Sequence, residues 1–255
     1  MTMFRNGPVH RSADEYISFR EVRDRFDFYT IKIGRWVSDS EQEAAAVQFY
    51  DALCDLMEIL RVPETVISLR GTLGLHYGTG GRPGVDAHYS PSEHIFALAK
   101  NAGPGSIAHE WFHAFDHYIA SRAFSDQPSS AFASPAWLSE ATPVPHPLND
   151  LLFNCFRAVL LAPDGESPSD MFLASAAQDK RLGTLYYSRP EEMCARAFEA
   201  WVQDAAITNH YLVKGTRQSP EAKLGLYPQG DDRKRCATAF EAYFRRLGAS
   251  LTRTR

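Results

Sequence analysis

The chain has no uninterrupted apolar run of 18 residues, so no membrane-spanning helix is expected. Its first residues, MTMFRNGPVHRSADEY, have no apolar core of a signal peptide, which predicts a cytoplasmic location. The net charge of −4 gives no reason to expect a nucleic-acid partner. With 44% hydrophobic and 23% charged residues the composition is ordinary for a globular protein, and we expect residues 1–255 to form a single domain.

Cysteine is scarce, and no two cysteines form a C-x-x-C pair. The four residues are Cys54, Cys155, Cys194 and Cys236. Without an export signal they are expected to be reduced, partly buried thiols. A zinc site built from all four is the less supported alternative.

A glycine-rich stretch lacks the residues that a nucleotide site needs. Residues 78–84, GTGGRPG, are not followed by Gly-Lys-Ser/Thr and do not lead straight into a helix. We interpret this stretch as a flexible hairpin tip.

The chain does contain the motif H-E-x-x-H, as His109-Glu110-Trp111-Phe112-His113. Residues four apart share one face of a helix, so both imidazoles can reach one zinc ion. Glu110 lies about 100° further round the helix and can hydrogen-bond a water on the metal. This set is the core of a zinc-hydrolase site. It predicts one Zn²⁺ per chain, with His109 and His113 as ligands and Glu110 as the catalytic base.

The surrounding residues predict that this motif lies on a helix. Pro104 and Gly105 break the chain before it, and Ser106 is a suitable helix cap. An apolar stripe at helical spacing lies beside the histidine face and comprises Ala108, Trp111, Phe112, Phe115, Ile119 and Ala123. One side of the helix is therefore expected to enter the core and the other to face a cleft. The alternative is a buried helix whose polar residues are incidental.

A catalytic zinc usually has three protein ligands, so a third must come from outside the motif. The extended pattern H-E-x-x-H-x-x-G-x-x-H is absent. Asp116 lies about 10 Å along the helix axis from His109 and better suits a role in orienting a ligand imidazole. His117 fits that role and a surface position equally well. Three further histidines are rival ligands: His88, His94 and His146.

The best candidate for the third ligand is Glu192, in the segment YYSRPEEMCARAFEAWV at residues 186–202. Residues 188–191 have the S-x-x-E form of a capping box, which assigns Glu191 to the helix start and leaves Glu192 free. The small Ala195 would let this helix approach the first one closely. Glu199 is the reserve ligand. In the alternative interpretation, Glu192 and Glu199 are solvated surface acids. The candidate donors to an oxyanion are His88, Tyr89, Tyr186, Tyr187 and Arg189.

The periodicity of apolar residues predicts an α+β fold, with a small, mostly antiparallel sheet packed on the motif helix. Residues 1–62 form a scaffold, with a strand near residues 26–33 and a helix from a Ser38/Glu41 capping box to Pro63. Residues 63–123 contain the motif helix and short strands, expected at Thr65–Leu69, Leu73–Tyr77, Asp86–Tyr89 and His94–Lys100.

The rest of the chain is expected to divide into two parts. Residues 124–187 are rich in Ser, Pro and Ala at their start and are predicted to be an irregular, lid-like segment. Within it, Asn149–Leu161 has the pattern of a short helix. Residues 188–250 contain the third-ligand helix and a C-terminal helix that begins near Asp231 or Asp232.

The blocks HEWFHAFDH and RPEEMCARAFE carry a resemblance to a known domain, over roughly residues 25–125 and 185–205. The chain looks like the zincin-type domain of large phage and mobile-element polyvalent proteins. It is more similar still to stand-alone bacterial proteins of the CLCA_X family. The E-x-x-A-x-x-F spacing at Glu192, Ala195 and Phe198 also resembles the IrrE/ImmA metallopeptidases, in which that glutamate is the third zinc ligand. The resemblance implies a glutamate-zincin fold with zinc.

One residue departs from these patterns. Many glutamate zincins have an Asp four residues after the ligand glutamate, and IrrE-like proteins have an Asn, whereas this chain has Arg196. A cation so near zinc would weaken metal binding unless it pairs outward, for example with Glu199 or Asp116. The resemblance therefore supports the fold and the metal more than the activity.

These observations predict a zinc metallopeptidase that hydrolyses peptide bonds in a selected protein or peptide, with Glu110 as general base on a water. The strand His94–Lys100 is expected to bind an extended substrate by edge pairing. One alternative is a catalytically silent zincin-fold regulatory or binding protein. Another is a structural zinc protein, whose metal only joins two helices. The residues expected to support the ligands or an oxyanion are Asp116, Arg196, Tyr187 and Glu199.

Overall fold

The computed structural model describes residues 4–12, 14–79, 87–100 and 105–252. These residues contain ten helices and four strands, which confirms the α+β class. The helices are α1 (Phe19–Phe26), α2 (Asp39–Leu60), α3 (Glu64–Ile67), α4 (Ile107–Ala123), α5 (Ala133–Leu138), α6 (Asn149–Leu160), α7 (Asp170–Leu182), α8 (Pro190–Gln203), α9 (Pro220–Lys223) and α10 (Gly230–Thr252). The strands are β1 (Ile31–Ile33), β2 (Gly74–Tyr77), β3 (Ala87–Ser90) and β4 (Ile95–Leu98). None of these helices is long and apolar enough to cross a bilayer.

The four strands form a mixed sheet in the order β1-β2-β4-β3. β1 pairs with β2 and β2 pairs with β4 in parallel, and only β3 and β4 are antiparallel. The prediction of a mostly antiparallel sheet is therefore wrong. Helices α2 and α3 connect β1 to β2, and such a helical crossover leaves the second strand running in the direction of the first.

β4 lies inside the sheet, with β2 on one side and β3 on the other. Both edges of β4 are therefore occupied by neighbouring strands. The prediction that His94–Lys100 pairs with an extended substrate is wrong for this reason. The outermost strand at that end of the sheet is β3.

Helix α2 begins and ends where the sequence predicts. The backbone amide of Ser38 donates to Glu41 Oε2 at 2.9 Å, which confirms the capping box. The helix ends at Leu60, and Arg61 takes a left-handed conformation (φ 55°) before Pro63. Its apolar stripe faces the core, because Ala46, Tyr50, Leu53 and Leu60 are buried and Met57 is half-buried.

One predicted strand is shorter than expected, and another is helical instead. The alternation at residues 26–33 gives a strand only at Ile31–Ile33, because a second capping box, Ser18 with Glu21, starts α1 and continues it to Phe26. Thr65–Leu69 overlaps the short helix α3, which begins directly after Pro63. Strands at the other three predicted positions are confirmed within one to three residues, although Asp86 lies outside the described residues. Residues 80–84 of the predicted hairpin tip also lie outside them.

The segment 124–187 is not irregular throughout, since it contains α5, α6 and α7. The predicted helix at Asn149–Leu161 is confirmed as α6. Helix α5 packs on α4 through Ser134, whose amide and hydroxyl donate to the buried Asp116 at 2.9 and 2.6 Å. The polar, proline-rich composition around α5 did not indicate this packing. The contact depends on Asp116, which lies 18 residues before Ser134 in the chain.

Aromatic packing fixes the rotation of α4. Trp111 is fully buried, stacks on Phe198 of α8 with ring centroids 5.5 Å apart, and donates its indole N–H to the carbonyl of Ile67 at 2.9 Å. Phe112 packs on Phe198 and Phe240. Since the apolar face of α4 is committed to α8 and α10, its histidine edge is held next to the first turn of α8.

Candidate metal centre

Helix α4 holds the two histidines of the motif against each other. Ser106 occupies the N-cap position, although its side chain makes no capping hydrogen bond. The Nε2 atoms of His109 and His113 lie 3.0 Å apart, and their ring centroids are 4.6 Å apart. This is the close approach that the four-residue helical spacing predicts.

Helix α8 brings Glu192 to the same point. Glu192 Oε2 lies 3.4 Å from His109 Nε2, and Glu192 Oε1 lies 3.5 Å from His113 Nε2. Ala195, one turn later, is fully buried where α8 packs on α4. Among the described residues, His109, His113 and Glu192 are the one group of three or more His, Cys, Asp or Glu side chains arranged to hold a metal ion. The four cysteines are buried and free, and no such group includes them.

The spacing of these donor atoms fits zinc. Bonds of about 2.0–2.2 Å at tetrahedral angles separate neighbouring ligand atoms by about 3.3–3.6 Å. The separations of 3.0, 3.4 and 3.5 Å lie close to that range. Glu192 Oε2 is also a buried polar atom without a hydrogen-bond partner. A cation between the three side chains would compensate for that missing partner.

Glu199 orients the first imidazole. His109 Nδ1 donates to Glu199 Oε2 at 3.1 Å, so a neutral His109 keeps its Nε2 lone pair directed toward His113 and Glu192. Glu199 Oε2 also accepts from the hydroxyl of Tyr227 at 3.2 Å. Glu199, considered above as a reserve ligand, therefore lies behind His109 in the place from which a carboxylate fixes the tautomer of a metal-binding histidine.

Burial and neighbouring charges shift the pKa values of His109, Glu192 and Glu110 in opposite directions. Burial lowers the pKa of His109, but the charges of Glu199 and Glu192 outweigh it and raise that pKa well above its usual value. Burial works against ionisation of Glu192, but the two imidazoles outweigh it and lower its pKa. Burial raises the pKa of Glu110, and the nearby histidines oppose this only in part.

Asp116 does not orient an imidazole. Both of its oxygens accept hydrogen bonds from Ser134, and burial raises its pKa to about 6 despite these bonds. His113 Nδ1 is left buried without a hydrogen-bond partner. The role predicted for Asp116 is therefore replaced by a structural one, joining α5 to α4.

Arg196 pairs outward, but with backbone carbonyls and not with Glu199 or Asp116. Its guanidinium donates to the carbonyls of Leu226 at 2.8 Å, Glu192 at 3.2 Å and Tyr187. Burial lowers its pKa, although nearby acidic groups oppose this shift. Because its N–H groups donate to the carbonyls of Leu226 and Tyr187, Arg196 joins the segment around Leu226 to the loop before α8.

The loop before α8 is organised by Asp179, not by a capping box at residues 188–191. The Ser188 hydroxyl and amide donate to Asp179 Oδ2 at 2.6 and 2.8 Å. The amides of Tyr186 and Tyr187 donate to Asp179 Oδ1 at 3.0 and 2.9 Å. Burial opposes the ionisation of Asp179, but these bonds outweigh it and lower its pKa to about 2. The N-cap of α8 is Arg189, so the capping role predicted for Glu191 is wrong.

The loop presents Tyr186 to the candidate site, whereas Tyr187 is turned toward Arg196. Burial, together with the charge of Glu192, raises the pKa of Tyr186. The ring of Tyr187 lies 5.6 Å from the Arg196 guanidinium. Of the three tyrosines weighed as oxyanion donors, Tyr186 is therefore the best placed, since the Tyr89 hydroxyl contacts His117.

The remaining histidines lie outside the three-residue group. His117 Nε2 donates to the Ser129 carbonyl at 2.7 Å, and its Nδ1 lies 2.8 Å from the Tyr89 hydroxyl. The His94 ring lies 5.1 Å from the ring of His117. His88, His94 and His146 are not part of the metal-type group, so the structure does not support them as rival ligands.

Comparison with known proteins matches one part of the chain. Residues 178–251 match the family model described as large polyvalent protein-associated domain 1. No curated protein and no solved structure matches the chain. The matched part covers less than a third of the chain and contains Glu192, Arg196, Glu199 and Tyr227, but not the H-E-x-x-H helix. It supports the resemblance to polyvalent-protein domains over α8 to α10, and its description names no metal and no reaction.

The assignment of two adjacent glutamates can be tested directly. Loss of a hydrogen bond that supports a metal ligand lowers metal affinity by about 10- to 100-fold. Glu192→Gln is expected to lower zinc affinity by more than this, because the substitution removes the charge of a proposed ligand. Glu191→Gln, one residue away, should leave zinc affinity unchanged and change stability by no more than about 0.5 kcal/mol. Zinc titration against a chromophoric chelator measures both. Equal losses in the two variants would contradict the assignment of Glu192.

The hydrogen bonds behind His109 give a second test. Glu199→Gln is expected to weaken zinc binding by about 10- to 100-fold, because the imidazole loses its charged acceptor. Tyr227→Phe should weaken it less, since Glu199 then loses only one hydrogen bond. Tyr29→Phe is the matched control, because the Tyr29 hydroxyl donates to the carbonyl of Glu93 away from these residues. A Tyr227→Phe protein with the zinc affinity of the control would show that Tyr227 does not support the site.

Proposed function

We propose that this protein is a zinc-dependent peptidase that hydrolyses peptide bonds in a selected protein or peptide. The observation that carries the proposal is the convergence of three donor side chains, His109, His113 and Glu192, beside the buried Glu110. Three protein donors leave one position of a tetrahedral site open, which is the arrangement of catalytic zinc. The match of residues 178–251 is compatible with this proposal and adds no activity to it.

In this proposal His109, His113 and Glu192 hold the ion, and Glu199 orients His109 through its 3.1 Å hydrogen bond. A zinc ion bound there supplies Lewis acidity, which polarises a carbonyl and makes a water easier to deprotonate. Glu110 is only 8% exposed, and no described residue forms a hydrogen bond with its carboxylate. It is therefore free to take a proton from water and to deliver it to the leaving amine.

Two further features support a peptide as the substrate. β3 is the outer strand of the sheet, and an extended chain can add to such an edge through backbone hydrogen bonds. Tyr89 of β3 is tied to His117 of α4, so this edge is held next to the helix that carries Glu110. Tyr186, beside Glu192, is a suitable donor to the carbonyl oxygen of a substrate.

The experiment is a comparison of zinc-loaded and chelator-treated protein on a proteome-derived peptide library, with cleavage sites identified by mass spectrometry. We expect a small set of cleavages that disappears on chelation and returns when zinc is added. A zinc-loaded protein that cleaves nothing in the library would support a silent regulatory or binding protein. Spectroscopy of the cobalt-substituted protein showing four protein ligands would support a structural metal.

A further inference from the structure

A cavity of about 380 Å³ lies between α3, α4, α6 and α10. We call it the α4–α10 cavity. Its α4 wall includes Phe115, Ile119 and Arg122, which lie about 140° around the helix from the His109–His113 edge at 100° per residue. None of the proposed metal ligands lines it. Its volume is within the range of about 300–1,000 Å³ that is typical of small-molecule sites.

The interior of the cavity is largely apolar. The aliphatic and aromatic wall is contributed by separate elements, with Val66, Leu69, Phe115, Ile119, Leu152 and Leu247 among the lining residues. Such a surface favours a hydrocarbon or aryl group over water. The polar residues at its walls therefore decide which molecule fits.

The polar side chains of the cavity include cations and no acid. The two cations are Arg70 and Arg122, both exposed; His146 also lines the cavity, and none of its lining residues is Asp or Glu. None of the ion pairs among the described residues includes either arginine. Arg122 donates one N–H to the carbonyl of Tyr118 at 2.6 Å, and its guanidinium lies 3.6 Å from the centroid of the Tyr118 ring. The side chain is exposed, so its other N–H groups face solvent and are accessible to a ligand.

Two further side chains of the cavity, Tyr243 and His146, can donate hydrogen bonds to a ligand. Tyr243 is only 2% exposed, and its hydroxyl has no hydrogen-bond partner among the described residues. His146 Nδ1 accepts from the amide of Leu148 at 3.2 Å, so a neutral ring carries its proton on Nε2, which is left as a donor. The Tyr243 hydroxyl is not among the fully buried atoms that lack a partner, so water or a ligand in the cavity can supply its acceptor.

The wall that carries Arg70 is held in an unusual conformation. Leu69, Arg70 and Gly71 are all left-handed, with φ of 53°, 59° and 73°. For the two non-glycine residues this backbone is unfavourable, and such residues cluster at ligand sites. The Arg70 amide donates to the carbonyl of Thr65 at 2.7 Å and the Gly71 amide to Ser68 Oγ at 3.1 Å, which fixes the turn at the cavity wall.

We propose that the α4–α10 cavity binds a small amphipathic carboxylate, with its hydrocarbon part against Phe115, Ile119 and Leu152 and its carboxylate facing Arg122 and Tyr243. The apolar walls favour a ligand with a hydrocarbon part. The hydrogen-bond donors of Arg122 and Tyr243, with no acid among the lining residues, favour an anionic group. No proposed metal ligand lines this cavity, so the proposal does not rest on the metal.

The test is isothermal titration calorimetry of the full chain with decanoate, and with decanol as the neutral probe of the same length, both below their aggregation concentrations. We expect one saturable decanoate site per chain and at least about tenfold weaker binding of decanol, since hydrogen bonds to a charged acceptor are the stronger ones. The His109→Ala protein should bind decanoate as the wild type does. No saturable binding of decanoate, or equal affinity for the two probes, would overturn the proposal.

Two variants locate the site. Arg122→Gln keeps the stem of the side chain and should weaken decanoate binding about tenfold while leaving decanol unchanged. Arg157→Gln is the matched control, because Arg157 also lies on a helix over an aromatic ring, that of Trp137, but does not line this cavity. Tyr243→Phe keeps the ring and should weaken decanoate binding several-fold, even if Arg122→Gln fails to fold by circular dichroism. Equal decanoate affinities of Tyr243→Phe, Arg157→Gln and wild type would overturn the assignment.

Discussion

Replacing both His109 and His113 by alanine is expected to reduce bound zinc from about one ion per chain to background. The reason is geometric, because the two Nε2 atoms lie 3.0 Å apart and supply two of the three donors. Glu192 alone would remain, and a single carboxylate does not hold zinc against solvent. The measurement is elemental analysis of protein purified without chelator, with circular dichroism to show that the variant folds.

The matched controls are His88→Ala and His146→Ala, which remove histidines that lie outside the three-residue group. Each should retain about one zinc ion per chain. Full zinc content in the His109→Ala/His113→Ala protein would refute the metal site. Loss of zinc in His88→Ala alone would instead show that a fourth side chain enters the coordination sphere.

The local part of the candidate site could be predicted from the sequence because it depends on helical spacing alone. Four residues separate His109 from His113, and one turn of α4 brings their Nε2 atoms together whatever the surroundings. The apolar stripe beside them also fixed which side of α4 enters the core, as the burial of Trp111 and Phe112 shows. Such information is carried within one helix and requires no knowledge of the tertiary structure.

The proximity of Glu192 was predicted correctly, but part of the reasoning was wrong. The S-x-x-E pattern assigned Ser188 and Glu191 to each other, whereas Ser188 bonds to Asp179 of α7. A serine near a helix start can hydrogen-bond to a glutamate of the same helix or to an acid elsewhere in the chain. Only the tertiary arrangement of α7 and α8 shows that Ser188 bonds to Asp179. The choice of Glu192 over Glu191 is supported instead by the direction in which α8 presents each side chain.

Contacts between distant parts of the chain could not be predicted. Tyr227 reaches Glu199 from a loop 28 residues later, and no pattern in the sequence marks it. The parallel pairing of β1, β2 and β4 likewise depends on how α2 and α3 carry the chain back across the sheet. Alternation within a short strand indicates which side chains share a face, but not which strand lies beside it.

Glu110→Gln is expected to abolish hydrolysis while leaving the zinc content and the fold intact. Glu110 is not one of the three donors, and its carboxylate has no hydrogen-bond partner among the described residues. The amide has the same shape but cannot accept a proton, and loss of a general base typically lowers the rate by about 10²–10⁴-fold. The assay is the initial rate on the best peptide from the library, with zinc content and thermal unfolding measured on the same sample.

Glu191→Gln serves as the control for this experiment, because it makes the same chemical change at a glutamate outside the three-residue group. It should cleave at the wild-type rate. If Glu110→Gln cleaves as fast as this control with zinc bound, Glu110 is not the base, and the hydrolytic mechanism fails even though the metal site stands. If Glu110→Gln loses both zinc and activity, the carboxylate acts on the metal or on the packing of α4 rather than on water. Only loss of activity with zinc retained supports the proposed role, because a residue needed merely for structure would alter the zinc content or the melting temperature as well.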